Sequence, residues 1–103
     1  MNRLVSDKLA EVRKLCLDYR VRRLELFGSA ACDGACDKPA EDLDFLVEFL
    51  PLNPGEHADA YFGLLKALEE MFGMPVDLVM LRAVKNPYFL ESIRATRRRL
   101  YAA

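Results

Sequence analysis

The 103-residue sequence has little of what marks membrane-spanning, disulfide-rich or strongly basic proteins. No apolar run approaches the roughly 18 residues that cross a bilayer, and no secretory signal pattern is recognisable at the N-terminus. The three cysteines, an odd number, fit reduced thiols better than a disulfide framework. Fifteen Lys and Arg stand against sixteen Asp and Glu, which argues against bulk binding to nucleic acid or to a membrane surface. We therefore expect a cytoplasmic protein with no membrane partner.

What the sequence does contain is typical of a compact globular chain. Hydrophobic residues make up 52% and charged residues 30%, and without internal repeats we expect a single domain over residues 1–103. Apolar spacing predicts, in order, a helix over about 3–19, a strand over 21–27, a loop over 28–41 with a short helix from Ser29, a strand over 42–49, a long helix, a strand over 76–81, a helix over 87–97 and a short strand over 100–102. This order predicts an α/β (α+β) fold, in which helices pack against a small mixed sheet of three to four strands.

Local signals mark the ends of two of these helices. Gly73 is suited to a left-handed C-cap of the long helix, and Asn86-Pro87 is an N-cap followed by a favoured first helical residue. The long helix is expected to bury a stripe of five apolar residues, Ala58, Phe62, Leu65, Leu68 and Phe72.

Two features close to the predicted strands suggest a phosphate and a metal. Gly28-Ser29 directly follows the first strand, where a glycine and a helix N-terminus can approach a phosphate, although such a pair is also common in ordinary turns. Asp42 and Asp44 share one strand face, and their repulsion is about 3 kcal/mol at about 5 Å and an effective dielectric near 20. Mg²⁺ converts that repulsion into attraction. A solvated polar face, which Glu48 would continue, is the alternative.

Asp77 interrupts an otherwise apolar strand. An isolated carboxylate at such a position is costly unless it is paired or bound to metal. If this strand lies beside the Asp42–Asp44 strand, Asp77 completes a carboxylate trio; the alternative is an ion pair with a nearby arginine.

Together, these features resemble the minimal nucleotidyltransferases (MNT) of the polymerase-β-like nucleotidyltransferase superfamily. The resemblance covers nearly the whole chain and is carried by four segments: Leu24-Glu25-Leu26-Phe27-Gly28-Ser29-Ala30-Ala31, Asp42-Leu43-Asp44-Phe45-Leu46-Val47-Glu48-Phe49, Val76-Asp77-Leu78-Val79 and Arg99-Leu100-Tyr101-Ala102. It implies the palm fold of that superfamily. It also implies that Gly28 and Ser29 hold the β- and γ-phosphates of ATP, that Asp42, Asp44 and Asp77 bind two Mg²⁺ ions, and that AMP is transferred to an acceptor hydroxyl by two-metal chemistry.

The chain departs from the family pattern after Ser29. Family members usually carry an arginine and a glycine there, whereas this sequence has Ala30-Ala31-Cys32-Asp33-Gly34 and a longer gap before Asp42. Losing a cation beside the triphosphate should weaken nucleotide binding by about 1–3 kcal/mol. Lys38, Arg82 and Lys85 are the candidate replacements.

The remaining candidates have simpler interpretations. Cys32 and Cys36 lack two further ligands of a structural zinc site, and we interpret them as incidental loop thiols. The basic run that ends in Arg97, Arg98 and Arg99 is typical of a solvated helix end, with an acidic protein partner or RNA as alternatives.

A catalytic core this small must obtain its specificity from a partner or from self-assembly into a homo-oligomer. The resemblance implies a HEPN-type helical protein as partner, with this chain as the antitoxin that adds AMP to a hydroxyl of the toxin. One alternative is a non-catalytic module that neutralises its partner by docking alone. Another is a nucleotidyltransferase that acts on a small-molecule hydroxyl.

Overall fold

The computed structural model describes residues 3–27, 43–80 and 85–102, with residues 3, 4, 92, 93, 95 and 96 described by their backbone alone. The elements follow in the order α1 (Arg3–Asp7), α2 (Leu9–Asp18), β1 (Val21–Phe27), β2 (Leu43–Phe49), α3 (Pro54–Phe72), β3 (Val76–Met80), α4 (Pro87–Thr96) and β4 (Arg98–Ala102). None of the described helices is long and apolar enough to cross a membrane. The short helix expected from Ser29 falls outside the described residues.

The four strands form one mixed sheet in the order β3-β2-β1-β4. β1 pairs antiparallel with both β2 and β4, whereas β2 and β3 are parallel. A parallel pair needs a crossover connection, which is supplied here by α3. The predicted α/β class and the small mixed sheet are therefore confirmed.

The hydrophobic core lies between one face of this sheet and the helices α2 and α3. Alternate residues of the two central strands point into it, and Phe45 stacks on Phe72 with ring centroids 6.2 Å apart. The fully buried large side chains of the core are Leu24, Leu26, Leu43, Phe45, Val47, Leu64, Leu68 and Leu100, together with Val5, Val12, Val21 and Cys16. We call the opposite side of the sheet the outer face.

The expected helix over residues 3–19 is two helices, because the helical conformation is interrupted at Lys8. The Lys8 amide donates to the carbonyl of Val5 at 3.2 Å, closing a turn. The Lys8 ammonium donates to the carbonyl of Met71 at 2.9 Å, at the last turn of α3. A lysine that satisfies an end carbonyl of another helix favours this break.

The predicted buried stripe of α3 was wrong at two positions. Phe62 is 65% exposed and Ala58 is also exposed, whereas the buried residues are Leu64, Leu68 and Phe72. Apolar residues cover so much of this helix that their spacing does not fix which face turns inward. Tertiary contacts decide it, because the Tyr61 hydroxyl donates to the carbonyl of Leu78 at 2.6 Å.

Candidate functional site

The outer face carries a row of side chains that crosses three strands. Along β2 the strand alternation puts Asp44 on the side away from the core residues Leu43 and Phe45. Asp44 pairs with Phe27 of β1 on one side and with Asp77 of β3 on the other. Paired residues of neighbouring strands point to the same face. Phe27, Asp44 and Asp77 therefore lie side by side.

The two carboxylates of this row are close neighbours, because adjacent strands lie about 4.8 Å apart. Asp44 is half-buried and Asp77 is exposed. Between described residues, no arginine forms an ion pair with Asp77, so the alternative interpretation of Asp77 as half of an ion pair has no support there. Carboxylate oxygens are the ligands that Mg²⁺ prefers, and these two residues fit such an ion.

Three of the predicted site residues, Gly28, Ser29 and Asp42, lie outside the described residues. Within the described ranges no group of three or more potential metal-ligating side chains is present, so the third carboxylate of the expected trio stays a prediction. The candidate replacement cations Lys38 and Arg82 are outside these ranges as well, and Lys85 is exposed.

Tyr61 lies close to β3, the strand that carries Asp77. Its hydroxyl donates to the carbonyl of Leu78. Burial, and secondarily the negative charge of Asp77, raise the pKa of the Tyr61 hydroxyl. The phenol therefore stays protonated at neutral pH and keeps this hydrogen bond.

An apolar cluster continues the outer face beside the carboxylates. Phe27 and Leu46 are buried, and the half-buried Val79 packs against them. The ring of Phe89 meets Phe27 edge-on, with centroids 5.8 Å apart and an interplanar angle of 89°. This contact packs α4 against the outer face and makes an apolar wall next to Asp44.

Glu25 is a buried carboxylate that the sequence analysis did not single out. It is only 4% exposed and lies 3.5 Å from Nε of Arg97 and 3.9 Å from Nη1 of Arg23. A glutamate between Leu24 and Leu26, in the middle of a strand, was the signal available in the sequence. An acidic residue there needs a partner.

The basic run was expected to be a solvated helix end. Its arginines Arg97, Arg98 and Arg99 are exposed as expected, but their assignment to a helix end was wrong. Helix α4 ends at Thr96, and strand β4 begins with Arg98 and Arg99. Arg97, which links the helix to the strand, pairs with Glu25. The run therefore joins a helix to an edge strand of the sheet.

A mixed four-stranded sheet with α2 and α3 on its core face and adjacent carboxylates on its outer face is the architecture of a nucleotidyltransferase palm. The family model described as a nucleotidyltransferase domain matches residues 9–100. The chain belongs to this family, and the resemblance on which the sequence analysis relied is confirmed.

Two curated relatives come from Methanocaldococcus jannaschii, and both carry the name "putative protein adenylyltransferase". One is 36% identical over 92 residues, which cover 86% of this chain and 87% of the relative. The other is 32% identical over 90 residues, with the same coverage of both chains.

Solved structures share the fold. A structure described as a putative minimal nucleotidyltransferase has a TM-score of 0.70 and 28% identity, covering 95% of both chains. A complex of a tri-AMPylated HEPN toxin with an MNT antitoxin from Shewanella oneidensis has a TM-score of 0.65 and 21% identity. The match covers 95% of this chain and 72% of that one. A toxin–antitoxin structure with AMP-PNP has a TM-score of 0.66 and 21% identity. The match covers 92% of this chain and 73% of that one.

Proposed function

We propose that this protein is a Mg²⁺-dependent protein adenylyltransferase, which moves AMP from ATP to a hydroxyl of a HEPN-type helical protein and so acts as its antitoxin. The observation that carries the proposal is the pairing of Asp44 with Asp77 on the outer face. The two relatives named as protein adenylyltransferases support the choice of a protein acceptor. The shared fold of the MNT antitoxin bound to an AMPylated HEPN toxin supports the choice of partner.

Each site residue has a role in this proposal. Asp42, Asp44 and Asp77 hold two Mg²⁺ ions, and Gly28 and Ser29 hold the β- and γ-phosphates of ATP. When bound, Mg²⁺ would lower the pKa of the attacking hydroxyl and offset the charge of the departing pyrophosphate.

The reaction exchanges one phosphorus–oxygen bond for another. The acceptor oxygen attacks the α-phosphorus of ATP, and the bond from that phosphorus to the bridging oxygen of pyrophosphate breaks. Asp77 helps to activate the acceptor hydroxyl, whose proton passes to the Asp77 carboxylate as the new bond forms. Phe27 and the edge of Phe89 form an apolar wall beside Asp44, which limits the access of water from that side.

The test follows labelled AMP from α-labelled ATP onto a co-purified HEPN-type partner. Asp44→Asn and Asp77→Asn should each abolish the Mg²⁺-dependent transfer. Glu48→Gln is the matched control, because Glu48 lies on the same face of β2 as Asp44 and the substitution removes the same charge. This variant should transfer AMP as the wild type does.

The same experiment separates the alternatives. A docking module would neutralise the partner equally well when Asp42, Asp44 and Asp77 are all changed to Asn, and the wild type would transfer no label. An enzyme for small molecules would leave the partner unlabelled but would consume ATP in the presence of an acceptor alcohol.

A further inference from the structure

Glu25 is a buried charge that the proposed reaction does not use. Among the described residues it is the one charged side chain that is buried. It alternates along β1 with the core residues Leu24 and Leu26, so it points to the outer face. Burying a carboxylate is costly unless it is paired. The pairing with Arg97 and Arg23 offsets that cost and holds an arginine at a defined place.

That place is one end of the row formed by Phe27, Asp44 and Asp77. The antiparallel register pairs Leu26 with Arg98, the first residue of β4. Continuing this register by one residue beyond β4 puts Arg97 beside Phe27. Phe27 pairs on its other side with Asp44. Two strand spacings, about 10 Å, therefore separate the backbones of Arg97 and Asp44.

The charges around Glu25 leave this end of the outer face positive. Arg23 and Arg97 contact Glu25, and Arg99 is its cross-strand neighbour on β4. Three arginines thus neighbour one carboxylate, and two of them are in contact with it. Arginine is well suited to phosphate, because its planar fork of donors matches the phosphate oxygens.

We propose that Arg97 binds the polyphosphate of the nucleotide and that Glu25 is the positioning residue that orients it. This inference rests on the proposed function, since it assumes that ATP lies over the row of Phe27, Asp44 and Asp77. It gives the chain a cation for the triphosphate that does not come from the segment after β1, where residues 30–37 contain no Lys or Arg.

The first test measures the binding of ATP and of AMP, both with Mg²⁺, to the full chain by calorimetry. Arg97→Ala should weaken ATP binding about 10- to 100-fold, because a hydrogen bond to a charged group is lost. The affinity for AMP, which lacks the β- and γ-phosphates, should change by less than about twofold. Arg22→Ala is the control, because Arg22 is an exposed arginine near the far end of β1. It should bind both nucleotides as the wild type does.

The outcomes separate the two proposals. A wild type that binds no ATP contradicts the proposed function. A wild type that binds ATP, together with an Arg97→Ala variant that binds it equally well, overturns the inference alone. An equal loss for ATP and AMP also overturns it, since Arg97 would then support the fold and not the polyphosphate. Arg97→Lys, which keeps the charge, should lose less ATP affinity than Arg97→Ala. It replaces the alanine variant if that variant does not fold.

A second test asks what Glu25 does for Arg97. If Glu25 only offsets charge, Glu25→Gln makes this end of the face more positive and tightens ATP binding. If Glu25 orients Arg97, the same variant weakens ATP binding about three- to tenfold, and it has no further effect when combined with Arg97→Ala. Tightened binding, or additive losses in the double variant, would contradict the positioning role. If Glu25→Gln does not fold, Glu25→Asp replaces it, because it keeps the charge but shortens the side chain. An orienting role predicts weaker ATP binding in this variant, and unchanged binding would contradict that role.

Discussion

Replacing Asp77 by asparagine should change the stability of the protein in opposite directions with and without ligand. The register places Asp44 and Asp77 side by side, at a strand spacing of about 5 Å. At an effective dielectric near 20, two charges at that distance repel by about 3 kcal/mol. Asp77 is exposed, so solvent and salt reduce the usable part to about 1 kcal/mol or less. In EDTA, Asp77→Asn should therefore melt up to about 4–8 °C above the wild type.

Divalent metal and nucleotide should reverse this order. A ligand at about 100 times its Kd stabilises the folded state by about 2.7 kcal/mol, which corresponds to a rise in Tm of about 10 °C or more for a domain of this size. The wild type should show this rise with Mn²⁺ and a non-hydrolysable ATP analogue. Asp77→Asn, which lacks one of the proposed metal ligands, should not.

Thermal melts of the wild type, Asp77→Asn and Glu48→Gln, each in both buffers, decide the matter. Glu48→Gln removes the same charge from the same face, but Glu48 lies 3.6 Å from Arg22, so its loss should bring no gain in EDTA. It should also keep the ligand-induced rise. Repulsion between Asp44 and Asp77 is refuted if Asp77→Asn melts at or below the wild type in EDTA, and a metal-binding role of Asp77 is refuted if the variant keeps the ligand-induced rise in Tm.

Three further predictions concern the scaffold. A Cβ at Gly63 would lie 2.5 Å from the Tyr19 ring, so Gly63→Ala should cost about 1 kcal/mol in a urea melt, and should become stabilising when Tyr19 is also alanine. Arg20 has a φ of 57°, a conformation that costs an L-residue about 1–2 kcal/mol, so Arg20→Gly should unfold at a higher urea concentration than Arg20→Ala; equal midpoints would exclude backbone strain. Burial raises the pKa of the Cys16 thiol from 9.0 to about 12, so ionisation in the unfolded state should lower the stability between those pH values, and Cys16→Ala, in a variant whose other cysteines are serine, should flatten that part of the pH profile.

The fold was predictable because its decisive signals are local. Alternation along β2 separates core from outer-face residues without any long-range information. The side chain of Asn86 accepts a hydrogen bond from the amide of Tyr88 at 2.9 Å, as an N-cap should. Gly73 ends α3 with a φ of 64°, a conformation that glycine adopts at little cost.

The expectations that failed depended on contacts between distant residues. The break at Lys8 is favoured by a hydrogen bond to Met71, 63 residues further along the chain. The rotation of α3 depends on Tyr61 reaching the backbone of β3 and on Gly63 accommodating the ring of Tyr19. No periodicity within one helix contains this information.

The candidate site was predictable only in part, for the same reason. Residue types suggested Asp44 and Asp77, but their proximity required β3 to lie beside β2 in a parallel register. Glu25 had a local signature, an acidic residue between two apolar ones in a strand, but its partner Arg97 had none, because the pair joins a central strand to the link between α4 and β4.

The outer face has opposite charges at its two ends, and this pattern connects the two proposals. Asp44 and Asp77 make one end negative, whereas Arg97 makes the other positive, with Phe27 and its contact to Phe89 between them. A polyphosphate with bound divalent metal has the complementary pattern, because its cation prefers carboxylates and its oxygens prefer guanidinium groups. The two ends can therefore be tested separately: carboxylate variants should lose the metal dependence of binding, and Arg97 variants should lose the preference for ATP over AMP.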